Sequence, residues 1–584
     1  MTETTIARPW LDTDLSVDER VQLLLDAMTI EEKAGLFFHT MIAIGDLEEP
    51  NPVFATPSAR EFLETKRMTH FNLLGAAPTG REIAAWQNAL QRLAASTRLG
   101  IPVTLSTDPR HSFSENPGAS ILAGPFSQWP ETLGLAATRD EALVERFADI
   151  ARQEYTAVGL RVALHPQVDL ATEPRWARQT ATFGEDAELS GKLGAAYIRG
   201  FQGESFGPGS VSTMTKHFPG GGPQKDGEDP HFPYGREQVY PGGEFELHLK
   251  PFEDALAAGT RQMMPYYGMP VGTEYEEVGF GFNKSVITGL LRERYGFDGL
   301  VCTDWGLISD SEIFGQPFPA RAWGVEDLTP RERMKKVLDA GADQFGGEAN
   351  PELLLELVAD GEVSEERLDV SARRILREKF ELGLFENPFV DEDAADEIVG
   401  RAEFRAAGED AQRASITLLQ NDGALPFARG RRLYVEGIDV EVAASFGEVV
   451  ATPGEADLAI IRLQAPFEER ETMFENFFHA GSLAFSDEVV AHVRAVAAAV
   501  PTVVDVLADR PAILTPIAEI AAAMTVNWGA SGAALLDVLS GAFPAQGRLP
   551  FDLPRSMAAV EASRPDVPFD TADPLFRFGH GLAL

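Results

Sequence analysis

The sequence predicts an α/β chain of two domains. Residues 1–388 read as a (β/α)8, TIM-like barrel, 411–584 as an α/β sandwich, and 389–410 as the linker between them. Three observations predict this. Short apolar strands alternate with helical stretches up to about residue 385, the rhythm of a parallel sheet closed as a barrel. Polar groups recur where those strands end, the face on which barrel enzymes place their sites. A second alternation follows the acidic stretch from Glu386 to Glu397 and fills an ordinary domain length.

Composition bounds the rest. A chain of 584 residues with 44% hydrophobic content is long enough for two large cores. The formal net charge of −40 repels phosphate backbones and anionic lipid, so neither nucleic acid nor a membrane surface is an expected partner. A single cysteine, Cys302, excludes an intrachain disulfide and any cysteine-rich metal site. No His/Glu spacing suits a metal, so no cofactor is expected. The opening MTETTIARPWLDTDLS has no basic stretch followed by an apolar core, and no apolar run is long enough to span a bilayer. The expected compartment is the cytoplasm, and a homo-oligomer is left open.

Taken in order, Ser16 with Glu19 and Thr29 with Glu32 offer two capping boxes at the start of helices. The first strand marked by pattern is Pro102 to Thr107, ending at Asp108. Others run from Arg161 to Asp169, from Val211 to Thr215 before Lys216 and His217, and through RQMMP to Tyr266 and Tyr267. ADQFGG makes a later one. Between them, Gly299 to Thr303 is apolar, β-compatible and opened by a glycine. Side chains alternate along a strand, so Leu300, Cys302 and Asp304 share one face. Asp304 then sits where the strand gives way to a loop, followed by Trp305 and Gly306. A carboxylate beside an aromatic wall suits a nucleophile facing a flat polyhydroxylated ligand; a lone aspartate there would otherwise read as a cap. In the second domain a helix through Ser415 leads into ITLLQNDGALPF, strands are expected in RRLYVEG, ADLAIIRL and TVVDVLA, and a helix opens at Ser486.

Several stretches resemble glycoside hydrolase family 3. GFDGLVCTDWG is similar to the family's nucleophile segment GFDGxVxSDW, with Thr303 in place of serine. PQVDLATEPRWARQTATFGED resembles PxxDxxxDPRWGRxxExFGED, and KHFPGGG matches KHFPG. NWGASG and FRFGHGL resemble its C-terminal signatures. The resemblance implies a retaining, exo-acting β-glycosidase, above all a β-glucosidase, with Asp304 as nucleophile. It implies that Asp108, Arg178, Lys216, His217 and Tyr266 or Tyr267 hold the sugar and that Trp305 walls it. Arg110 and His111 are candidates for the mouth, and Asp169, Arg175 and the FGED carboxylates for support. In two-domain relatives the acid/base is a glutamate on a second-domain loop. Aligning Pro466 and Phe467 to the family's Pro-Tyr pair puts Glu469 there, with Glu468 and Glu471 as rivals. Phe474, Phe477 and Phe478 either wall an outer subsite or pack as core. A branch active on N-acetylhexosaminides uses an Asp-Ser-His run instead. Here Asp226 is followed by Gly227, which speaks against it, although His231 keeps it open. The alternatives are a β-xylosidase, arabinosidase or transglycosylase of the same family and, in another class, a non-catalytic sugar-binding protein. The partner expected is a small carbohydrate.

Overall fold

The computed structural model describes residues 7–52, 56–108, 111–115, 120–313 and 315–584. Helices Val17–Ala27 and Ile30–Gly35 open on the two capping boxes that the sequence predicts. Eight parallel strands follow: β1 Phe38–Ala43, β2 His70–Leu74, β3 Thr104–Thr107, β4 Leu160–Ala163, β5 Ser212–Phe218, β6 Gln262–Pro265, β7 Leu300–Val301 and β8 Phe345–Gly346. They pair in the order β8-β1-β2-β3-β4-β5-β6-β7. The ring closes where Cys302 bridges Gln344 and the Thr303 N–H donates to the Gln344 carbonyl at 3.0 Å.

Two of these strands, β1 and β2, precede the first that the pattern marks. The reason is burial. β2 is buried at every position and β1 at all but one, so neither alternates apolar with polar. Each also carries a histidine buried in the barrel interior. His39 Nε2 meets Ser106 Oγ at 2.7 Å, and burial, with Lys379 nearby, draws His39 down to about 3, so its ring is neutral. The strand expected from Arg161 to Asp169 stops at Ala163. Pro166 has no N–H for a ladder, and beyond Ala163 the stretch is tied to its neighbours by separate bonds: Leu164 N–H to Thr107 (3.1 Å), Lys216 N–H to Pro166 (3.0 Å) and Val168 N–H to Lys216 (2.8 Å).

The second domain is a mixed sheet of β9 Thr417–Asn421, β10 Arg432–Glu436, β11 Glu448–Val449, β12 Leu458–Gln464, β13 Thr502–Leu507 and β14 Ala523–Asn527. Its order is β9-β14-β13-β12-β10-β11, antiparallel only between β9 and β14. Successive residues of β12 enter two separate cores, Ala459 and Ile461 on one face, Leu458 and Ile460 on the other. That is a sheet covered on both sides. Leu133 and Ala137, from a helix of the barrel domain, complete the first of these cores. The segment 389–410 holds helix Glu392–Ile398 and the start of Ala402–Ser415. Val390 exchanges hydrogen bonds of 2.9 and 3.0 Å with the Asn88 amide, so the chain between the domains is packed on the barrel.

Candidate active site

The C-terminal ends of β3, β4, β5, β6 and β7 bring most of the sequence-predicted residues together. β5 pairs with β6 out of step between Lys216 and Phe218, leaving His217 as the extra residue of a bulge. A bulge re-aims side chains, which is how neighbours on one strand both reach the site. Lys216 Nζ lies 3.1 Å from Asp108 Oδ1, at the end of β3, and His165 Nε2 meets the same oxygen. His217 Nδ1 lies 2.7 Å from Asp169 Oδ2, while its Nε2 lies 3.3 Å from Arg178 Nη2 and 3.8 Å from Asp304 Oδ2.

These contacts settle the imidazole's tautomer. Burial, and next the Arg178 charge, hold His217 well below its ordinary pKa, so it is neutral. Asp169 takes the Nδ1 proton, together with the N–H groups of His217 (3.1 Å) and Gly221 (2.6 Å). Nε2 therefore presents a lone pair and accepts from Arg178. Burial draws the Arg178 guanidinium down, but Tyr266, Asp229, Asp304 and Asp108 more than reverse this. Arg178 is thus the cation around which the anionic groups are arranged.

Asp304 is 7% exposed. The Trp305 N–H donates to its Oδ1 at 2.9 Å, and Oδ2 is buried without a hydrogen bond among the described residues. Tyr267 donates to the Trp305 carbonyl at 2.8 Å; burial, then the Asp304 charge, push its hydroxyl well above the phenol range. Tyr266 lies with its ring 4.5 Å from that of His217. The Trp305 ring packs 5.4 Å from His39 and crosses Gly346 and Gly347, where an added Cβ would come within 2.8 and 2.7 Å of it.

The second domain reaches this face through the loop 465–482. Arg510, fully buried, donates to the carbonyls of Pro466, Ala480, Gly481 and Ser482 on the loop and of Arg175 on the barrel. Arg470 pairs with Glu228 at 2.9 Å, and Tyr234 donates to Glu475 at 2.9 Å. Phe474 and Phe478 pack with Phe232 and Phe318 into one aromatic cluster, whereas Phe477 is 38% exposed. On the same loop Glu468 accepts from the Ser482 N–H at 3.1 Å. Glu469 and Glu471 are exposed, with no hydrogen bond or ion pair to another side chain among the described residues.

Three features were not anticipated. His165 supports Asp108, and only its strand-end place hinted at it. Asp229 and His231 form a pair: His231 Nδ1 lies 2.6 Å from Asp229 Oδ1, and its ring packs 4.6 Å from Tyr267 and 4.7 Å from Phe478. Burial pushes the Asp229 carboxyl up, but His231 and Arg178 more than offset it and hold it below the ordinary value. The signal was present as the Asp-x-His of Asp229, Pro230 and His231, three residues beyond the Asp226 on which the motif comparison rested. His111 is a correction. It does not line the mouth but is 1% exposed, with Nε2 3.0 Å from the buried Glu154 and its ring stacked on Tyr155. Arg110 lies outside the described residues. Among the described residues no group of three or more His, Cys, Asp or Glu is placed to hold a metal ion.

A closed parallel barrel whose strand ends gather a carboxylate, fixed cations and aromatic walls fits a glycoside hydrolase. The chain belongs to glycosyl hydrolase family 3: residues 63–378 match the family's N-terminal domain and residues 433–584 its C-terminal domain. It is 54% identical over 578 residues to a probable beta-glucosidase C of Aspergillus flavus, covering 98% of this chain and 91% of the relative. It is 42% identical over 597 residues to a periplasmic beta-glucosidase/beta-xylosidase of Dickeya chrysanthemi, with coverage of 98% and 91%. The fold is also that of a beta-glucosidase of Listeria innocua solved with isofagomine, at a TM-score of 0.77 and 22% identity, covering 97% of this chain and 83% of that one.

Proposed function

We propose that the chain is a retaining, exo-acting β-D-glucosidase that releases terminal β-glucosyl residues from small glucosides or oligosaccharides. The observation that carries this is the placing of Arg178 and His217 beside Asp304, with the Lys216–Asp108 pair on neighbouring strand ends. Asp304 attacks the anomeric carbon and forms a glycosyl-enzyme; water then releases the sugar, and two inversions give net retention. Asp108 accepts from adjacent sugar hydroxyls, Lys216 and Arg178 donate, and neutral His217 holds the Arg178 guanidinium in place by accepting from it at Nε2. Tyr266, Tyr267 and Trp305 wall the ring. The relatives' names support glucose as the sugar, and the Dickeya relative keeps a β-xyloside as the second substrate to test. A panel of nitrophenyl glycosides, with NMR reading the anomer first released, tests the reading. Release of the α-anomer, or turnover confined to α-glycosides, overturns it.

For the acid/base the first reading is Glu469, carried over the barrel on the loop that Arg510 anchors. A specific observation favours a second: His231 is oriented by Asp229 and packed against Tyr267, and its Nε2, which makes no hydrogen bond or ion pair among the described residues, can give and retake a proton. The two are separable. Removing the acid costs roughly 10²–10⁴-fold on a disaccharide but far less on a dinitrophenyl glucoside, whose leaving group needs no proton. Azide should then restore turnover as the β-glucosyl azide. Glu469→Ala showing that pattern, with His231→Ala losing both substrates equally, supports the first reading. The reverse supports the second.

A further inference from the structure

Arg321 lies beyond the hairpin of Ser311–Ile313 and Gln316–Phe318 and is 5% exposed. Its Nε and Nη2 both donate to the Trp305 carbonyl, at 3.1 and 2.6 Å, and Nη1 donates to the Pro319 carbonyl at 3.4 Å. With the Tyr267 hydroxyl, three donors converge on one oxygen that has two lone pairs. That is more than satisfaction requires, and it fixes the plane of the peptide after Trp305. The peptide before Trp305 supplies the N–H held by Asp304. The two planes are joined at the Trp305 Cα, so holding the carbonyl in place leaves the donor N–H that aims the carboxylate less room to shift.

The same planar group of Arg321 also links this carbonyl to the second domain. Its guanidinium lies 4.2 Å over the Phe318 ring, and Phe318 meets Phe474 edge-on at 5.0 Å. Gly306 makes room for it: φ is +69° there, and an added Cβ would lie 2.3 Å from Arg321 Nη2.

We propose that Arg321 is a positioning residue that couples the seating of the second domain, felt through Phe474 and Phe318, to the orientation of the Asp304 carboxylate. This rests on the reading of Asp304 as the nucleophile. The step it governs is formation of the Asp304 ester: a carboxylate oxygen bonds to the anomeric carbon as the bond to the leaving oxygen breaks.

The test follows inactivation of the whole enzyme by dinitrophenyl 2-deoxy-2-fluoro-β-D-glucoside. The rate constant per active site is measured separately from the inactivator's dissociation constant, with the active fraction and the labelled peptide read by mass spectrometry. Arg321→Met should lower the rate constant about 10–100-fold, the scale for a sub-ångström misplacement of a reacting group, while the dissociation constant and active fraction stay native. Arg321→Lys, which donates without the planar fork, should fall between. It carries the test if the methionine variant does not fold. Phe474→Leu should slow inactivation in the native background and add nothing in the Arg321→Met background. Native rate constants in both Arg321 variants, a loss confined to the active fraction, or multiplying effects of Phe474 and Arg321 overturn the coupling. A label away from Asp304 instead overturns the nucleophile reading itself.

Discussion

Replacing Asp169 by asparagine should separate activity from stability. The native carboxylate is fully buried and accepts three hydrogen bonds, from His217 Nδ1, His217 N–H and Gly221 N–H. Burial pushes it up to about 6 from an ordinary 3.8, partly offset by the two backbone N–H groups. Keeping it ionised at neutral pH therefore costs about 3 kcal/mol, a penalty that asparagine does not carry. Against this, the variant loses the charge-assisted bond to Nδ1, about 1.5–3 kcal/mol. The two nearly cancel, and the unfolding midpoint should move little. Activity should not survive as well. The asparagine NH2 facing His217 forces the other tautomer, which turns an N–H towards the Arg178 guanidinium, where a lone pair is needed. The expected loss in kcat/KM is roughly 10²–10³-fold, the scale for one misaligned preorganised group. In the native enzyme, protonation of Asp169 should also end activity as pH falls through about 6, and the variant should lack that limb. The assay is the pH profile of kcat/KM on nitrophenyl glucoside beside urea unfolding. Activity within about 3-fold of native, with the acid limb unchanged, would refute the tautomer argument.

Two further changes probe the frame around the site. Glu185 accepts from the N–H groups of Asp552 (2.6 Å) and Phe569 (2.8 Å), and burial pushes its carboxyl up to about 8. A raised pKa means its contribution is complete below 4.5 and is lost as pH rises through 8; urea midpoints should fall over that window, and Glu185→Gln should flatten the slope. A Cβ on Gly346 would lie 2.3 Å from the Thr303 carbonyl and 2.8 Å from the Trp305 ring. Gly346→Ala should cost about 1–3 kcal/mol by overpacking and lower kcat/KM more than it raises KM, read by unfolding and steady-state kinetics.

The barrel and much of its site were legible because strand ends leave a local mark. Asp108, Lys216, His217, Tyr266 and Asp304 each stand at or just beyond the end of a short β-compatible run. β1 and β2 left none, since a strand buried on both faces has no alternation and their histidines read as interruptions. β14 was hidden by the alanine run that precedes it, although it lies inside the second sheet. What stayed invisible in the site acts across long separations. Arg321 reaches Trp305 around a hairpin, and the Asp229–His231 pair needs the loop closed over Tyr267 to mean anything. His111 went wrong for a local reason. Its φ of 55° turns the side chain inward to Glu154, away from the mouth that its place after Asp108 suggested.

The most direct test of the account is where a trapped sugar is attached. A 2-deoxy-2-fluoro glucoside slows both steps, and a reactive leaving group lets the first outrun the second, so the glycosyl-enzyme accumulates. Peptide mapping of the labelled enzyme should find one fluoroglucosyl ester, on Asp304 in the peptide GLVCTDWG, and Asp304→Asn should remain unlabelled while folding natively. A label on Asp229, Glu469 or any other carboxylate, or labelling of Asp304→Asn at the native rate, would contradict it.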